Sequence, residues 1–173
     1  MPNASSLSPD GRFMALTIRN SDKEVVIDIK DYKRVSLHTW WIIKSNNHSE
    51  RIVTKINSKK CCIANFILNY VGNKTIDHID RDIYNNRKCN LREATKIQQA
   101  INRSKFENTK FKYKGVRFRE ACTNHPWKAV ITVERKIIEL GYFKTEEQAA
   151  KVYDRAAKKY HGEFAVLNFP KDK

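Results

Sequence analysis

Asp77 and His78 stand side by side in this 173-residue sequence, and the stretch that follows, Ile79 to Asn102, is rich in amides and guanidinium groups: Asn85, Asn86, Asn90, Gln98, Gln99 and Asn102 with Arg81, Arg87 and Arg92. These are the residue types that phosphodiester cleavage needs. A carboxylate such as Asp77 offers hard oxygen to a divalent ion, and the imidazole of His78 takes a proton from water near neutral pH without strong tuning. In a strand successive side chains face opposite ways, so the adjacency puts carboxylate and imidazole on different sides of the backbone. A cation and an attacking water could then flank one phosphate. An Asp-His dipeptide alone is common, and an asparagine-rich loop with an incidental histidine is the bland alternative; the ordered run through Asn90, Arg92 and Thr95 argues against it.

The elements that must position these groups follow from the pattern around them. Two short β-like pieces, IDHI and NLREA, are separated by the polar loop Asp80 to Cys89, and a helix is expected over Thr95 to Arg103, giving the order strand, loop, strand, helix. Upstream, Arg12 to Ile18 and Val25 to Ile29 alternate apolar and polar residues as strands do, so residues 1–60 read as a β-rich N-terminal part with Trp40 and Trp41 in its core. The dense apolar run Cys61 to Tyr70 fits helix or strand, its length favouring helix slightly. A polar linker, residues 106–112, leads to three expected strands, YKGVRFR, WKAVITV and KIIELGYF. The helix after them opens with a Thr145-x-x-Gln148 capping box, and Glu146 and Glu147 complement its dipole. Ala149, Ala150, Tyr153, Ala156, Ala157 and Tyr160 form one helical face that can lie on a sheet, and Gly162 ends the helix. The expected fold class is α+β: the β-rich part, a central ββα segment over residues 61–105, and a C-terminal three-stranded antiparallel sheet packed on one helix over residues 113–170.

Charge names the class of partner. Lysine and arginine number 34 against 19 acidic residues, a formal charge of +15 that exceeds what solubility requires and recurs among aromatics along the chain. A polyanion is expected. No apolar stretch reaches spanning length and no basic amphipathic segment opens the chain, so a membrane partner is not expected and nucleic acid is. Met1 to Asp10 lacks the features of a signal peptide, and an intracellular location is expected. Cys61, Cys62, Cys89 and Cys122 form no Cys-x-x-Cys pair, so no structural zinc is expected.

Asp77-His78, Asn85-Asn86-Arg87, Asn90-Leu91-Arg92 and Thr95 resemble the HNH family of His-metal finger nucleases, over about the middle third of the chain. The resemblance implies that a β-hairpin and a helix hold one divalent ion, Mg2+ or Mn2+. It implies that Asp77 binds the metal, that His78 activates water, and that Asn90 orients the imidazole through its side-chain amide. The metal would polarise the phosphate and neutralise the departing oxygen, leaving a 5′ phosphate and a 3′ hydroxyl. Gln99 aligns where the family has a histidine or asparagine ligand, with Asn102 as the fallback one turn on. Arg81 replaces a common turn glycine, and Ala64-Asn65 replaces an upstream His-Arg.

Residues 113–170, ending in LNFP, resemble the Apetala-two/ethylene-response-factor domain, which implies a three-stranded sheet laid into the major groove of double-stranded DNA. Arg117 and Arg119 alternate with Val116 and Phe118, so both arginines project from one face, while their neighbours are expected in the core. Arg117 and Arg119 are the expected guanine or phosphate contacts, joined by Thr132, Lys128, Arg135 and Lys136; Trp127 either touches DNA sugars or packs against Arg119. Val130, Thr132 and Glu139 occupy positions where the plant family uses glutamate, arginine and tryptophan, so a different target sequence is expected. The combination implies a homing or phage-type endonuclease, a monomer or weak dimer nicking one strand per active site. The alternative is a DNA-binding regulator that keeps a disabled HNH fold; an RNA-binding module lacks the paired aromatics that stack bases.

Overall fold

The computed structural model describes residues 5–44, 50–103, 111–120 and 124–170. It is a mixed α and β fold with four sheets and four α-helices, divided into two compact units, Met1–Ala94 and Thr95–Lys173. Cys122 and residues 106–110 of the expected linker lie outside the described residues. Among the described residues, no helix is long and apolar enough to cross a membrane.

In the first unit, β1 (Ser5–Leu7), β2 (Phe13–Ile18) and β3 (Ser21–Asp28) form an antiparallel sheet. Met14, Leu16 and Ile18 are buried on alternate positions of β2, as are Val25 and Ile27 on β3, the period that lets one face of a strand meet the core. A second antiparallel sheet joins β4 (Trp41–Lys44), β5 (Glu50–Ile56) and β6 (Lys59–Cys62); β5 turns into β6 through Asn57 and Ser58, both at positive φ, the backbone a two-residue hairpin requires. The Asn20 amide joins the sheets by bonding both N–H (2.8 Å) and C=O (2.9 Å) of Ile42. Trp40 is buried and donates its indole N–H to the Val35 carbonyl at 2.9 Å, whereas Trp41 is only half-buried, so the core anchor is a single tryptophan. The run Cys61 to Tyr70 splits: its first two residues pair with Val53 and Thr54 in the sheet, and α2 (Ile63–Leu68) begins only afterwards. Arg34, on α1 (Ile29–Val35), binds the carbonyls of Phe66 and Ile67 and the Asn69 side chain, satisfying groups that the end of α2 leaves open.

The expected N-terminal part and the segment carrying Asp77 and His78 share one core. Ile76 on β7 (Thr75–His78) and Leu91 on β8 (Leu91–Ala94) are buried in the same cluster as Leu16, Ile27, Trp40 and Ile67. Two four-residue strands cannot bury enough surface to stand alone, and the preceding sheets supply what they lack.

In the second unit, α3 (Lys96–Ile101) starts at a Thr95–Gln98 capping box, and the Lys114 ammonium closes its end by donating to the carbonyls of Ile101 (2.7 Å) and Arg103 (2.8 Å). The strands β9 (Val116–Phe118), β10 (Trp127–Val133) and β11 (Lys136–Phe143) form an antiparallel sheet in the order β11-β10-β9. Against one face lies α4 (Glu146–His161), opened by the Thr145–Gln148 capping box; Ala149, Ala150, Tyr153 and Ala157 are buried on it. Small side chains let the helix approach the sheet closely, so Ala129 and Ile131 are buried beneath it. Phe118 and Tyr160, expected in the core, are 40% and 43% exposed, Phe118 at the last position of β9 and Tyr160 in the last turn of α4. The closing LNFP is a clasp: buried Asp154 accepts from the backbone N–H of Asn168 and Phe169, both at 2.9 Å, and Asn168 bonds the backbone of Lys114 on both sides.

Gly115 holds φ +76, and a Cβ placed there would lie 1.9 Å from the ring of buried Tyr153. Gly115→Ala combines a left-handed backbone with overpacking and is expected to cost about 2–4 kcal/mol in denaturant unfolding of the full chain. A loss below about 1 kcal/mol would refute the close approach of helix and strand.

Candidate active site and nucleic-acid interface

β7 and β8 pair antiparallel, with Asp77 opposite Arg92 and His78 opposite Leu91. Directly opposed side chains share a face, and Asp77 Oδ2 accepts from Arg92 Nε at 3.2 Å and from the Arg92 guanidinium at 3.1 Å, with both side chains largely buried. His78 is half-buried, and its Nε2 lies 3.1 Å from Asn86 Oδ1. The Asn86 amide cannot be reversed without loss, because its Nδ2 donates to the Ile83 carbonyl at 2.7 Å. An acceptor therefore faces Nε2, the arrangement in which that ring nitrogen is the donor.

Asn86, not Asn90, is the partner of the imidazole. The Asn90 amide is spent inside the loop: its Oδ1 accepts from Asp80 N–H at 3.0 Å, and its Nδ2 donates to Asp80 Oδ1 and the Asn85 carbonyl, both at 2.8 Å. Asp80 also accepts from Asp82 N–H (2.9 Å) and Asn85 Nδ2 (2.6 Å). Burial pushes the Asp80 carboxyl up, but these hydrogen bonds and nearby His78 outweigh it and leave it below its ordinary value. Arg81 holds φ +71, the left-handed turn conformation that explains why a glycine would suit this position.

The loop is built onto the edge of β3. Val26 donates to the Tyr84 carbonyl and accepts from Asn86 N–H, both at 2.8 Å, making a parallel bridge between Val26 and Asn85. The Lys88 N–H donates to Asp28 at 2.8 Å and its ammonium pairs with buried Asp31. The Tyr84 hydroxyl donates to Glu50 at 2.8 Å, Lys23 lies over the Tyr84 ring at 4.6 Å, and Arg87 lies over Phe13 at 4.8 Å. Every anchor comes from residues 1–60, to which the sequence assigned no function.

For a divalent ion, this hairpin offers the Asp77 carboxylate; among the described residues no three of His, Cys, Asp and Glu converge as a metal cluster. One carboxylate fits a magnesium-type ion that takes its remaining oxygens from water and phosphate, and does not fit a cage made by protein alone. Gln99 and Asn102 lie on and at the end of α3, in the second unit; Asn102 is buried and Gln99 half-buried.

On the second unit, the sheet face away from α4 carries the charged side chains. Arg117, Lys128 and Tyr142 oppose one another across the three strands, and Thr132 follows Lys128 on the same face. Arg119 donates to the Tyr142 hydroxyl at 2.9 Å, Tyr142 in turn reaches Glu139, and Lys128 bonds Glu139. Arg117, Arg119 and Thr132 are exposed, and Arg135 and Lys136 lie exposed at the β10–β11 turn, where Glu134 and Arg135 both hold positive φ. Trp127 differs from the other expected contacts: its ring packs edge-on against Phe118 at 5.0 Å and against the helix-side cluster of Val116 and Ala129, so its position is that of a packing residue. Tyr142 and Glu139 had no expected contact role.

No family model matches the chain, and no solved structure matches it significantly. The chain is 28% identical over 157 residues to a protein of Acanthamoeba polyphaga mimivirus named an uncharacterized HNH endonuclease, the alignment covering 90% of this chain and 80% of that protein. This likeness supports an HNH endonuclease. A second match, to an ethylene-responsive transcription factor-like protein of Arabidopsis thaliana, is 56% identical over 34 residues and covers 20% of this chain and 15% of the plant protein. It bears on one short region alone.

Burial first, and then the hydrogen bond to Glu50, push the Tyr84 phenol up to about 12 from an ordinary value near 10. A folded-state pKa above the unfolded one stabilises fully below pH 10 and is lost as pH rises through about 12. Denaturant unfolding of the wild-type chain across that window is therefore expected to fall more steeply than that of Tyr84→Phe. Superimposable pH profiles would show that Tyr84 is not held by Glu50.

Proposed function

We propose that this chain is a metal-dependent DNA endonuclease in which the first unit hydrolyses a phosphodiester bond and the sheet of the second unit holds duplex DNA. The observation that carries the reading is the His78–Asn86–Ile83 relay, which orients the imidazole ring that would take a proton from water. Asp77 is the residue of the first unit that would hold one divalent ion, magnesium or manganese. When bound, that ion supplies Lewis-acid stabilisation of charge on the phosphate and the leaving oxygen. Asn90 acts one step back from the chemistry, tying Asp80 and Asn85 so that Asn86 stays in place. One active site per chain suits the nicking of one strand by a monomer or weak dimer, in an intracellular, homing or phage-type setting.

Arg117, Arg119 and Thr132 would meet the duplex, with Arg135 and Lys136 drawing in the phosphates and Lys128 placed among them. A second reading, a DNA-binding regulator with a disabled HNH fold, draws on the Asp77–Arg92 pair, since a guanidinium already occupies part of the carboxylate that a metal would need.

Plasmid nicking with magnesium or manganese separates the two. Wild-type protein is expected to nick, chelation and His78→Ala to abolish nicking, and Asn86→Ala to bind normally while cutting about 10–100-fold more slowly. Protein that binds duplex tightly but leaves it uncut with every metal would establish the regulator instead. Arg117→Ala and Arg119→Ala are each expected to weaken duplex binding and lower the slope of log affinity against log salt by about 1. An unchanged slope in both variants would remove the sheet face from the interface.

A further inference from the structure

The outer sheet face carries a carboxylate in the midst of its cations, and a surface built only to attract phosphate would exclude it. Glu139 is bonded to the Lys128 ammonium and reached by the Tyr142 hydroxyl, which also accepts from Arg119. The side chains of the pair differ in exposure, 15% for Lys128 and 56% for Glu139, so the member presented outward is the acceptor. Lys128 offsets the charge that phosphates would repel and holds the carboxylate in one place. An exposed ion pair of this kind contributes little to folding.

In the major groove a carboxylate has one good partner. Cytosine presents its N4 amino group as a donor, while adenine sets the N7 acceptor beside its N6 donor, an arrangement matched by an amide and not by a carboxylate, which has no hydrogen to give. We infer that Glu139 is a specificity-determining residue that reads a single cytosine through its N4 amino group, with Lys128 and Tyr142 as positioning residues. The inference rests on the reading that this sheet face enters the major groove. It assigns to Glu139 discrimination among bases, and to the arginines attraction and register.

The test is selection of binding sites by the full-length chain from a pool of randomised duplexes, with chelator present so that nothing is cut, run in parallel on wild type, Glu139→Gln and Glu139→Ala. Wild type is expected to select one position as cytosine by roughly tenfold over other bases. Glu139→Gln should shift that position to adenine, and Glu139→Ala should accept any base there, the remaining positions staying unchanged. If all three proteins bind duplex and return the same site, the role of Glu139 is overturned while duplex recognition stands. If wild type shows no preference for duplex over single strands, the interface reading fails and the inference falls with it.

Discussion

Two hydrogen bonds to the backbone of Val26 are the constraint on which the candidate active site depends. The loop from Ile79 to Asn90 carries more polar groups than apolar ones and has no core of its own, so nothing within it selects a single shape. The edge of β3 supplies the template: Val26 takes Asn86 N–H and gives its own N–H to Tyr84, both at 2.8 Å. Each such bond stabilises by only about 1 kcal/mol net, but leaving either group buried and unpaired costs more. With Asn86 fully buried, its amide has only one arrangement that satisfies Ile83 and His78 together. The orientation of the proposed base is thus set by docking on a strand more than fifty residues away in sequence, which ties the N-terminal sheets to the candidate site.

The two surfaces use polar groups in opposite ways. In the loop, Asp80, Asn85 and Asn90 bond chiefly with one another, and a network satisfied from within rigidifies what it encloses. On the outer sheet face, Arg117, Arg119 and Thr132 remain exposed, and the bonds they and their neighbours make across strands orient heads without burying them. Arg119 rests on the Tyr142 ring and donates to its hydroxyl, whereas Lys128 is neutralised by its ion pair with Glu139. The same face therefore holds a cation on an aromatic ring and a cation committed to holding a carboxylate.

Features set by local rules were legible in the sequence, and features set by long-range choice were not. Thr145 and Gln148 reveal a helix start because a capping box needs only four residues. The β-branched and aromatic run Trp127 to Val133 marks a strand for the same reason. Asp77 and His78 stand out by chemistry alone. The partner of the imidazole did not, because Asn85, Asn86 and Asn90 are chemically alike and the choice among them is made by how the loop docks on Val26. The run Cys61 to Tyr70 was ambiguous because its cysteines have strand partners only once Val53 and Thr54 are beside them. Phe118 and Tyr160 follow the periodicity of buried residues yet sit at element ends and are exposed.

Arg81 shows how these levels depend on one another. A non-glycine residue at φ +71 costs about 1–2 kcal/mol, and no bond of its own side chain offsets that fully: Arg81 Nε reaches only the neighbouring Asp80 carbonyl, at 3.5 Å. The offset comes from the turn around it, where Asp80 gathers donors from three residues and Arg81 N–H returns to the His78 carbonyl at 3.0 Å. That turn in turn stays closed because Asn90 is fixed at the start of β8, and β8 stays in place because Leu91 is buried with Leu16 and Trp40. Strain at the loop end of the hairpin is thus held by apolar burial in the N-terminal sheets. A boundary drawn at residue 61 would separate the two, leaving the loop its own hydrogen bonds but neither the edge nor the core that makes them cooperative.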